Sequence, residues 1–366
     1  MLDIKNDKRI VMTLDAGGTN FVFSALRGIE TVVEPITIPA NVALLDNCLN
    51  YIVIGFKEVR KRLTEKPVAI SFAFPGPADY RNGIIGDLMN LPAFRGGVAL
   101  GPMLEDIFKL PVFINNDGDL FAYGEAIAGI LPEVNQLLEQ SGSPKRYRNL
   151  FGVTMGTGFG GGLVHNGELY IGDNGAASEI WLMRNYINNE CFAEEGVSKR
   201  AIIRSYKKYS KDKSKAELTP LDIFEIAEGK LQGNREAALK SFEEFGKVVG
   251  DALANAITLT DSLIVLGGGL SNAWNYYASS MLSVLDGSIQ TIDGGKVGRL
   301  EMKVFSLEDD TERKAFLSGN HCQIKVPFSE RLVDYDPLKR IGVGKTRLGT
   351  SHAISVGAYA YALSKL

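Results

Sequence analysis

Apolar residues fall along this chain in two alternating rhythms. Short runs that are apolar at nearly every position, or at every second one, read as strands over 9–16, 21–26, 31–38, 68–74, 111–115, 150–155, 162–165, 169–171 and 262–266. Longer stretches repeat their apolar residues every three or four positions and predict helices over 44–63, 103–108, 120–130, 236–259 and 351–363. In the longest of these, Leu239, Phe242, Phe245, Val249, Leu253 and Ile257 share one face. Strands alternating with helices predict an α/β fold. A strand–turn–strand meander opens each half, a duplication of architecture without identity of residues. The halves divide near 117–129. From 285 to 344 the pattern gives an irregular insertion with a few strands.

Composition narrows the class. The 366 residues carry 45% hydrophobic and 23% charged side chains, ordinary for a globular chain with room for two domains. A net charge of −3 without a basic stripe disfavours a nucleic-acid partner, and the short basic run at 207–215 is followed by acidic segments. Cys48, Cys191 and Cys322 stand apart in no CxxC pair. That argues against structural zinc and disulfides, and for reduced, cytoplasmic thiols. The N-terminus lacks the apolar core of a signal peptide, and no run reaches the ~18 apolar residues that span a bilayer, so no membrane is expected.

Glycine is the informative excess. The 40 glycines are about 11% of the chain, against an average near 7%. They cluster after apolar runs. The first cluster is Asp15-Ala16-Gly17-Gly18-Thr19-Asn20. Glycines at such a turn let backbone N–H groups approach phosphate oxygens, and Thr19 adds a hydroxyl. Asp15, at the strand end, is placed to hold Mg²⁺ directly or through water. An ordinary hairpin explains this segment equally well by itself. The second cluster runs from Met155 to Gly162, and Gly156, Gly158 and Gly161 satisfy G-x-G-x-x-G. A dinucleotide site needs a helix directly after that loop, whereas 162–165 reads as a strand. A second phosphate-gripping hairpin, with Thr157 as its hydroxyl, fits better. The third cluster, Gly267-Gly268-Gly269, follows a buried strand; it suits either a flat base laid on the backbone or tight strand–helix packing. The segment RIGVGKTRLG around Lys345 imitates a P-loop, but Lys339 stands where the pattern needs its first glycine.

Between the first two grips lies Phe113-Ile114-Asn115-Asn116-Asp117-Gly118-Asp119, a strand end that opens a helix. Phosphoryl transfer needs positioning, charge neutralisation and a base for the attacking hydroxyl. Asp117 suits that base. The plainer alternative is that Asp117 or Asp119 caps the helix.

In order, these segments resemble the ROK family (repressor, open reading frame, kinase) of sugar kinases, within the hexokinase/actin-like ATPase superfamily. LDAGGTNF is similar to the family's first phosphate motif. AFPGPADYRNGII, NLPAF and LPVFINNDGDLFAYGE are similar to its sugar-side segments. MGTGFGGGLVHNGELYIGDNGAASEI is similar to its second phosphate motif, IVLGGGLS to its adenosine motif, and LGTSHAISVGAYAYAL to its closing helix. The resemblance runs over about 12–202 and 253–272, then resumes in the last helix.

That resemblance implies a two-domain actin-like ATPase (ribonuclease-H-like) α/β fold with the active-site cleft between domains. Residues 1–117 with 350–366 would form the smaller lobe, and 118–349, with an insertion at 285–345, the larger. It implies ATP and Mg²⁺ as cofactors and a hexose or amino sugar as substrate. Asp117 would be the general base; Asn90, Asn116, Glu179 and Glu194 would contact sugar. Gly17, Gly18, Thr19, Asn20, Gly156, Thr157 and Gly158 would contact phosphate, and Gly268 and Gly269 the adenosine side. A homodimer is an allowed assembly, with the insertion as one candidate contact. The chain also departs from the family. Leu182, preceded by Trp181, stands where members carry a histidine, and NNECFAEEGVSK replaces their CxCGxxGC zinc cluster. No structural zinc is expected, and the sugar-side wall becomes more apolar. A silent sugar sensor on the same fold is the alternative reading. A DNA-binding repressor is disfavoured because the first phosphate motif starts by Leu14, and an acetate- or glycerol-type kinase because of the order of the PGP, NLP and NND segments.

Overall fold

The computed structural model describes residues 4–16, 20–40, 44–88, 93–211 and 218–366. Its elements begin with β1 (Ile10–Ala16), β2 (Asn20–Arg27), β3 (Glu30–Pro39), α1 (Leu45–Arg62), β4 (Ala69–Ala73), β5 (Ala78–Asp79), β6 (Ile84–Ile85), α2 (Leu100–Phe108), β7 (Val112–Asn115), α3 (Asp117–Ile127) and α4 (Ile130–Gln140). There follow β8 (Leu150–Met155), β9 (Phe159–His165), β10 (Glu168–Tyr170), α5 (Lys199–Ser210), α6 (Pro220–Glu228), α7 (Arg235–Thr260), β11 (Leu263–Gly267) and α8 (Trp274–Leu285). Last come β12 (Ser288–Gln290), β13 (Lys296–Gly298), β14 (Lys303–Ser306), α9 (Asp310–Ser318), β15 (Cys322–Lys325), β16 (Leu332–Tyr335), β17 (Arg340–Lys345) and α10 (Thr350–Lys365). The chain forms two compact units, one of residues 1–132, 162–177 and 346–366, the other of 133–161 and 178–345.

In the first unit, the sheet order is β3-β2-β1-β4-β7, with β1 to β3 antiparallel and β4 and β7 parallel to β1. Strand alternation sorts its residues. Ile10, Met12, Leu14, Ile70, Phe72, Phe74 and Ile114 join the core built with Cys48, Ile52, Phe56 and Val59 of α1. The ring of Phe56 lies 5.2 Å from Phe23, 5.7 Å from Phe72 and 6.0 Å from Phe108. The alternate residues of β4, Ala69, Ser71 and Ala73, are small, and α10 packs against that strand. Phe113 of β7 meets Tyr361 of α10 edge-on at 6.1 Å. Helices α3 and α10 then pack backbone against backbone. A Cβ on Gly357 would lie 1.9 Å from the Leu120 carbonyl oxygen, and one on Gly124 would lie 1.9 Å from that of Ala353. Only glycine permits this approach.

The second unit is built on parallel pairing of β11 with β8 and β17, and of β17 with β14. Every residue of β11 is buried, as expected for a central parallel strand. The buried face of α7 carries Phe242, Phe245, Val249, Leu253 and Ile257 as its periodicity predicts, packed on α8 and α5. Strand β9 runs on past Gly161 into the first unit's residues, where 163–165 pair with β10.

Three sequence expectations change. The stretch 120–130 is not one helix: α3 ends at Ile127 and α4 starts at Ile130. The break is set by Glu125, whose fully buried carboxylate accepts the Ile130 N–H at 2.9 Å, while a Cβ on Gly129 would lie 2.1 Å from that same oxygen. The expected irregular insertion contributes two strands, β14 and β17, to the main sheet. RIGVGK, the P-loop imitator, is the buried strand β17. Arg340 at its start is 1% exposed and paired with Asp336 at 2.5 Å; burial pushes the Asp336 carboxyl up, but the hydrogen bond and charge of Arg340 together with the N–H groups of Asn320 and Leu338 hold it below its ordinary value. The hairpins β12–β13 and β15–β16 do stand exposed. Finally, the contacts divide the chain elsewhere than at 117/118 and 349/350. Because α3 packs on α10, and β10 on α3, residues 118–132 and 162–177 go with the first unit.

Candidate active site

In the first unit, β7 delivers Asn115 and then Asn116 and Asp117 to the start of α3. The cap of that helix is Asn116, whose Oδ1 accepts the Gly118 N–H at 2.8 Å. Asp119 is 4% exposed within the helix. Asp117 also accepts the Gly118 N–H, at 2.9 Å through Oδ1, and its side chain is exposed. Crowding by the surrounding protein pushes its carboxyl above the usual carboxylate range, and the negative charge of Asp15 adds to that push, against the opposing backbone hydrogen bonds. The carboxylate still meets water, so the crowding hinders its charged form without sealing it away.

Asp15, at the end of β1, is half-buried and itself pushed up by desolvation, partly offset by a hydrogen bond with Ser351 at the start of α10. Two carboxylates that feel one another make a negative corner suited to a divalent cation carried on a nucleotide phosphate. No group of three or more His, Cys, Asp or Glu side chains forms a protein-only metal cage among the described residues. Asn20 opens β2 and is exposed. Gly17, Gly18, Thr19 and Asn90 lie outside the described residues.

The second unit holds the remaining candidates. The loop after β8 turns tightly, with the Gly156 N–H donating to the Gly158 carbonyl at 2.9 Å. Thr157 is exposed at its tip, and a Cβ on Gly156 would meet nothing within 4 Å. The N–H of Lys199, first residue of α5, donates to the Gly156 carbonyl at 2.9 Å, tying the loop to a helix start. Glu194 also belongs to this loop. Its Oε2 accepts the Phe159 N–H at 3.1 Å, its Oε1 takes Arg200 at 3.2 Å, and a Cβ on Gly158 would lie 2.7 Å from the carboxylate.

Gly161 has a different task. A Cβ there would lie 2.4 Å from the Ser178 carbonyl oxygen and 3.0 Å from Ile180. The glycine lets β9 seat the short 3₁₀ turn Ile180–Leu182 that follows Glu179. Glu179 is half-buried, and the indole N–H of Trp181 donates to its Oε2. Leu182 is 58% exposed.

The two adenosine-side glycines also separate. Gly268 has φ 84° and would drive a Cβ to 2.2 Å from the Met155 carbonyl oxygen, so packing alone demands glycine there. Gly269 is exposed and faces open space. Sequence reasoning did not find Ser351, Arg200 or the hydrogen bond of Trp181. The only signal was the Trp181 substitution itself; the others are ordinary polar residues on helices. A cavity of about 390 Å³ between α5, α7 and the 185–196 segment contains none of the candidate residues, and its Arg204 and Lys208 are already paired with Glu195 and Glu244.

The model of the ROK family matches residues 11–293. The chain belongs to the ROK family. Its fold is the two-domain actin-like ATPase α/β fold of solved ROK sugar kinases. The crystal structure of a glucokinase from Parabacteroides distasonis is similar over 100% of both chains, with 53% identity and a TM-score of 0.91. A glucokinase of Halalkalibacterium halodurans is 27% identical over 71% of this chain and 80% of its own length. An N-acetyl-D-glucosamine kinase of Vibrio cholerae is 29% identical over 56% of this chain and 66% of its own length, just under two thirds. Among the described residues no helix is long and apolar enough to cross a membrane.

Proposed function

We propose that this ROK-family chain is a sugar kinase that transfers the γ-phosphoryl group of ATP to a hydroxyl of a hexose or amino sugar, with Asp117 as general base. The observation that carries this reading is the division of labour at the start of α3. Asn116 supplies the helix cap, so Asp117 is not needed for that job and presents an exposed carboxylate beside Asp15. The sugar oxygen attacks the γ-phosphorus, the bond to the bridging β–γ oxygen breaks, and the hydroxyl proton passes to Asp117. A pushed-up carboxyl is a better match than an ordinary aspartate for accepting a proton near neutral pH.

Asn116 spends its oxygen on the cap, which leaves its amide N–H groups to orient a sugar hydroxyl. Glu179 accepts from another hydroxyl. The open faces of Gly156 and Gly269 let the backbone approach phosphate and adenosine. Glu194, bound to the Phe159 N–H and to Arg200, fixes the Gly156–Gly158 loop, and this position supports a loop role as well as the sugar contact its motif implies. Gly17, Gly18, Thr19 and Asn90 keep the roles implied by their motifs. Bound Mg²⁺ would neutralise charge on the β- and γ-phosphates, and Asp15 is the residue that would hold it.

A coupled ADP-release assay over a panel of hexoses and amino sugars tests the reading. Wild type turns over at least one sugar, and Asp117→Ala loses about 10²–10⁴-fold in kcat on it. Full turnover by the variant would sink the base assignment. Sugar binding by calorimetry without any ADP release in wild type would replace the kinase with a sugar sensor.

A further inference from the structure

We propose that the cavity between α5, α7 and the 185–196 segment is a second ligand site, built for an uncharged polyhydroxyl molecule of monosaccharide size. No residue given a role in the phosphoryl transfer lines it. Its volume of about 390 Å³ falls at the small end of the range for ligand pockets, roughly 300–1,000 Å³.

Two polar groups on its wall are left open by the fold. Asn185 is 5% exposed, and its Oδ1 accepts the N–H groups of Ile187 at 2.9 Å and Asn188 at 3.0 Å. Those two donors fix which end of the amide is the oxygen. The NH₂ end then donates to no protein atom among the described residues. Gly196 leaves it room, since a Cβ there would lie 2.8 Å from the amide nitrogen. A buried donor without an acceptor is costly, and a ligand oxygen would remove that cost. Glu195 supplies the complement. Its Oε2 takes Arg204 at 2.7 Å, while its Oε1 accepts no hydrogen bond among the described residues, with Arg200 3.8 Å away.

The charges of the wall decide between ligand classes. Glu195 is answered by Arg204, and Glu244 by Lys208 at 2.9 Å, Ser205 at 2.6 Å and the Tyr209 hydroxyl. The side chains of Glu195 and Glu244 are 28% and 22% exposed, those of Arg204 and Lys208 57% and 60%, so the carboxylates are the more enclosed partners. An anion would satisfy the Asn185 donor but meet two enclosed carboxylates. A cation would satisfy Glu195 but leave the Asn185 donor as it is. A hydroxyl group both donates and accepts, so a molecule with several serves both. Ala201, Phe245 and Val248, all buried, add apolar surface suited to the C–H face of a sugar ring.

The cysteines provide the test. Cys191 lines the cavity and is half-buried, with its Sγ accepting the Asn188 amide at 3.1 Å; Cys322 is exposed on β15. Cys48 is buried, and desolvation pushes its thiol up to about 11, which keeps it silent. Iodoacetamide labelling without ATP, resolved by peptide mass spectrometry, is run with D-glucose, N-acetyl-D-glucosamine or D-glucitol at about 50 mM, enough to fill a millimolar site. At least one probe should slow Cys191 labelling about fivefold or more at that occupancy and leave Cys322 unchanged. Asn185→Asp keeps the oxygen that the Ile187 and Asn188 N–H groups need and removes the NH₂; Ala201→Leu fills the apolar surface. Each should abolish the protection, measured within the same variant with and without probe. A sugar held only at the proposed transfer site would protect Cys191 equally in both variants. Protection that survives in either folded variant therefore overturns the proposal, as does the absence of protection by every probe in wild type. Protection by inorganic phosphate or putrescine in place of the polyols overturns the assigned chemistry. Should Asn185→Asp fail to fold, Ala201→Leu decides.

Discussion

Glu125→Gln changes one atom in the core of the first unit and should destabilise it measurably. The Glu125 carboxylate is fully buried and accepts four hydrogen bonds. Its Oε1 accepts the Thr346 hydroxyl and the N–H groups of Arg347 and Leu348, both at 3.0 Å, and its Oε2 accepts the Ile130 N–H at 2.9 Å. An amide keeps the shape but can offer only one oxygen. If that oxygen serves residues 346–348, the new NH₂ faces the Ile130 N–H, donor against donor. A buried donor left without an acceptor costs about 1–3 kcal/mol, and the retained bonds weaken because a neutral acceptor replaces a charged one. Relief of the buried charge offsets part of this. The net loss should be about 1–3 kcal/mol, or about 2–12 °C in the transition of a unit this size. Thermal unfolding by circular dichroism reads it, with Glu125→Ala as the more damaging comparison. Residues 346–348 lead directly into α10 and Ser351, the partner of Asp15, so ADP release should fall with the transition temperature. An unchanged transition in Glu125→Gln would refute the argument that this carboxylate ties the approach to α10 onto α3.

Further expectations follow from the same geometry. The acid limb of kcat/KM should lie above the ordinary aspartate value of about 3.9, because the Asp117 carboxyl is pushed up and its base form is lost as pH falls through that raised value. For stability the sign is opposite: the contribution of Asp117 is fully present below its unfolded pKa and is lost as pH rises through the folded one. Asp117→Asn should therefore melt higher than wild type at neutral pH and converge with it in acid, and a lower neutral transition would contradict the shift. Gly357→Ala should destabilise by about 1–3 kcal/mol by overpacking backbone on backbone, despite the gain of about 1 kcal/mol in helix propensity. A more stable variant would show that α3 and α10 can part cheaply. Gly268→Ala should fold poorly, while Gly269→Ala should fold normally and raise ATP KM; equal folding of both would refute the split between packing and ligand glycines.

Local chemistry made much of the fold legible. The paired rhythms gave β1 to β4, β7, β8, β11 and the helices α1, α7 and α10 within a few residues, because each buries one face and repeats with its own period. Strand β17 escaped because its glycines at 342 and 344 look like a loop, when Gly342 in fact accommodates Leu307, 2.8 Å from where a Cβ would stand. The break after α3 escaped because it depends on Glu125 and residues 346–348, far apart in sequence. The candidate site divides the same way. Asp117 and the glycine loops are contiguous motifs and could be read directly. Ser351 lies more than three hundred positions from Asp15, and only folding shows that they share a hydrogen bond. In sequence the glycines at 156 to 162 look like one phosphate grip. They hold at least two tasks, since Gly156 is open while Gly161 seats the turn after Glu179 and Gly162 lies against the Gly118 carbonyl.

The crossing of α3 and α10 has a consequence for anyone who mutates every position and scores survival. Gly124 and Gly357 have no part in the proposed chemistry, yet at each a methyl group would stand 1.9 Å from a carbonyl oxygen of the facing helix. In such a survey their profiles would be as blank as that of Asp117, and intolerance alone would nominate them as chemistry. Abundance separates the two kinds of blank: Asp117 variants should accumulate as folded, inert protein, whereas glycine variants should be cleared from the cell before their activity can be asked about.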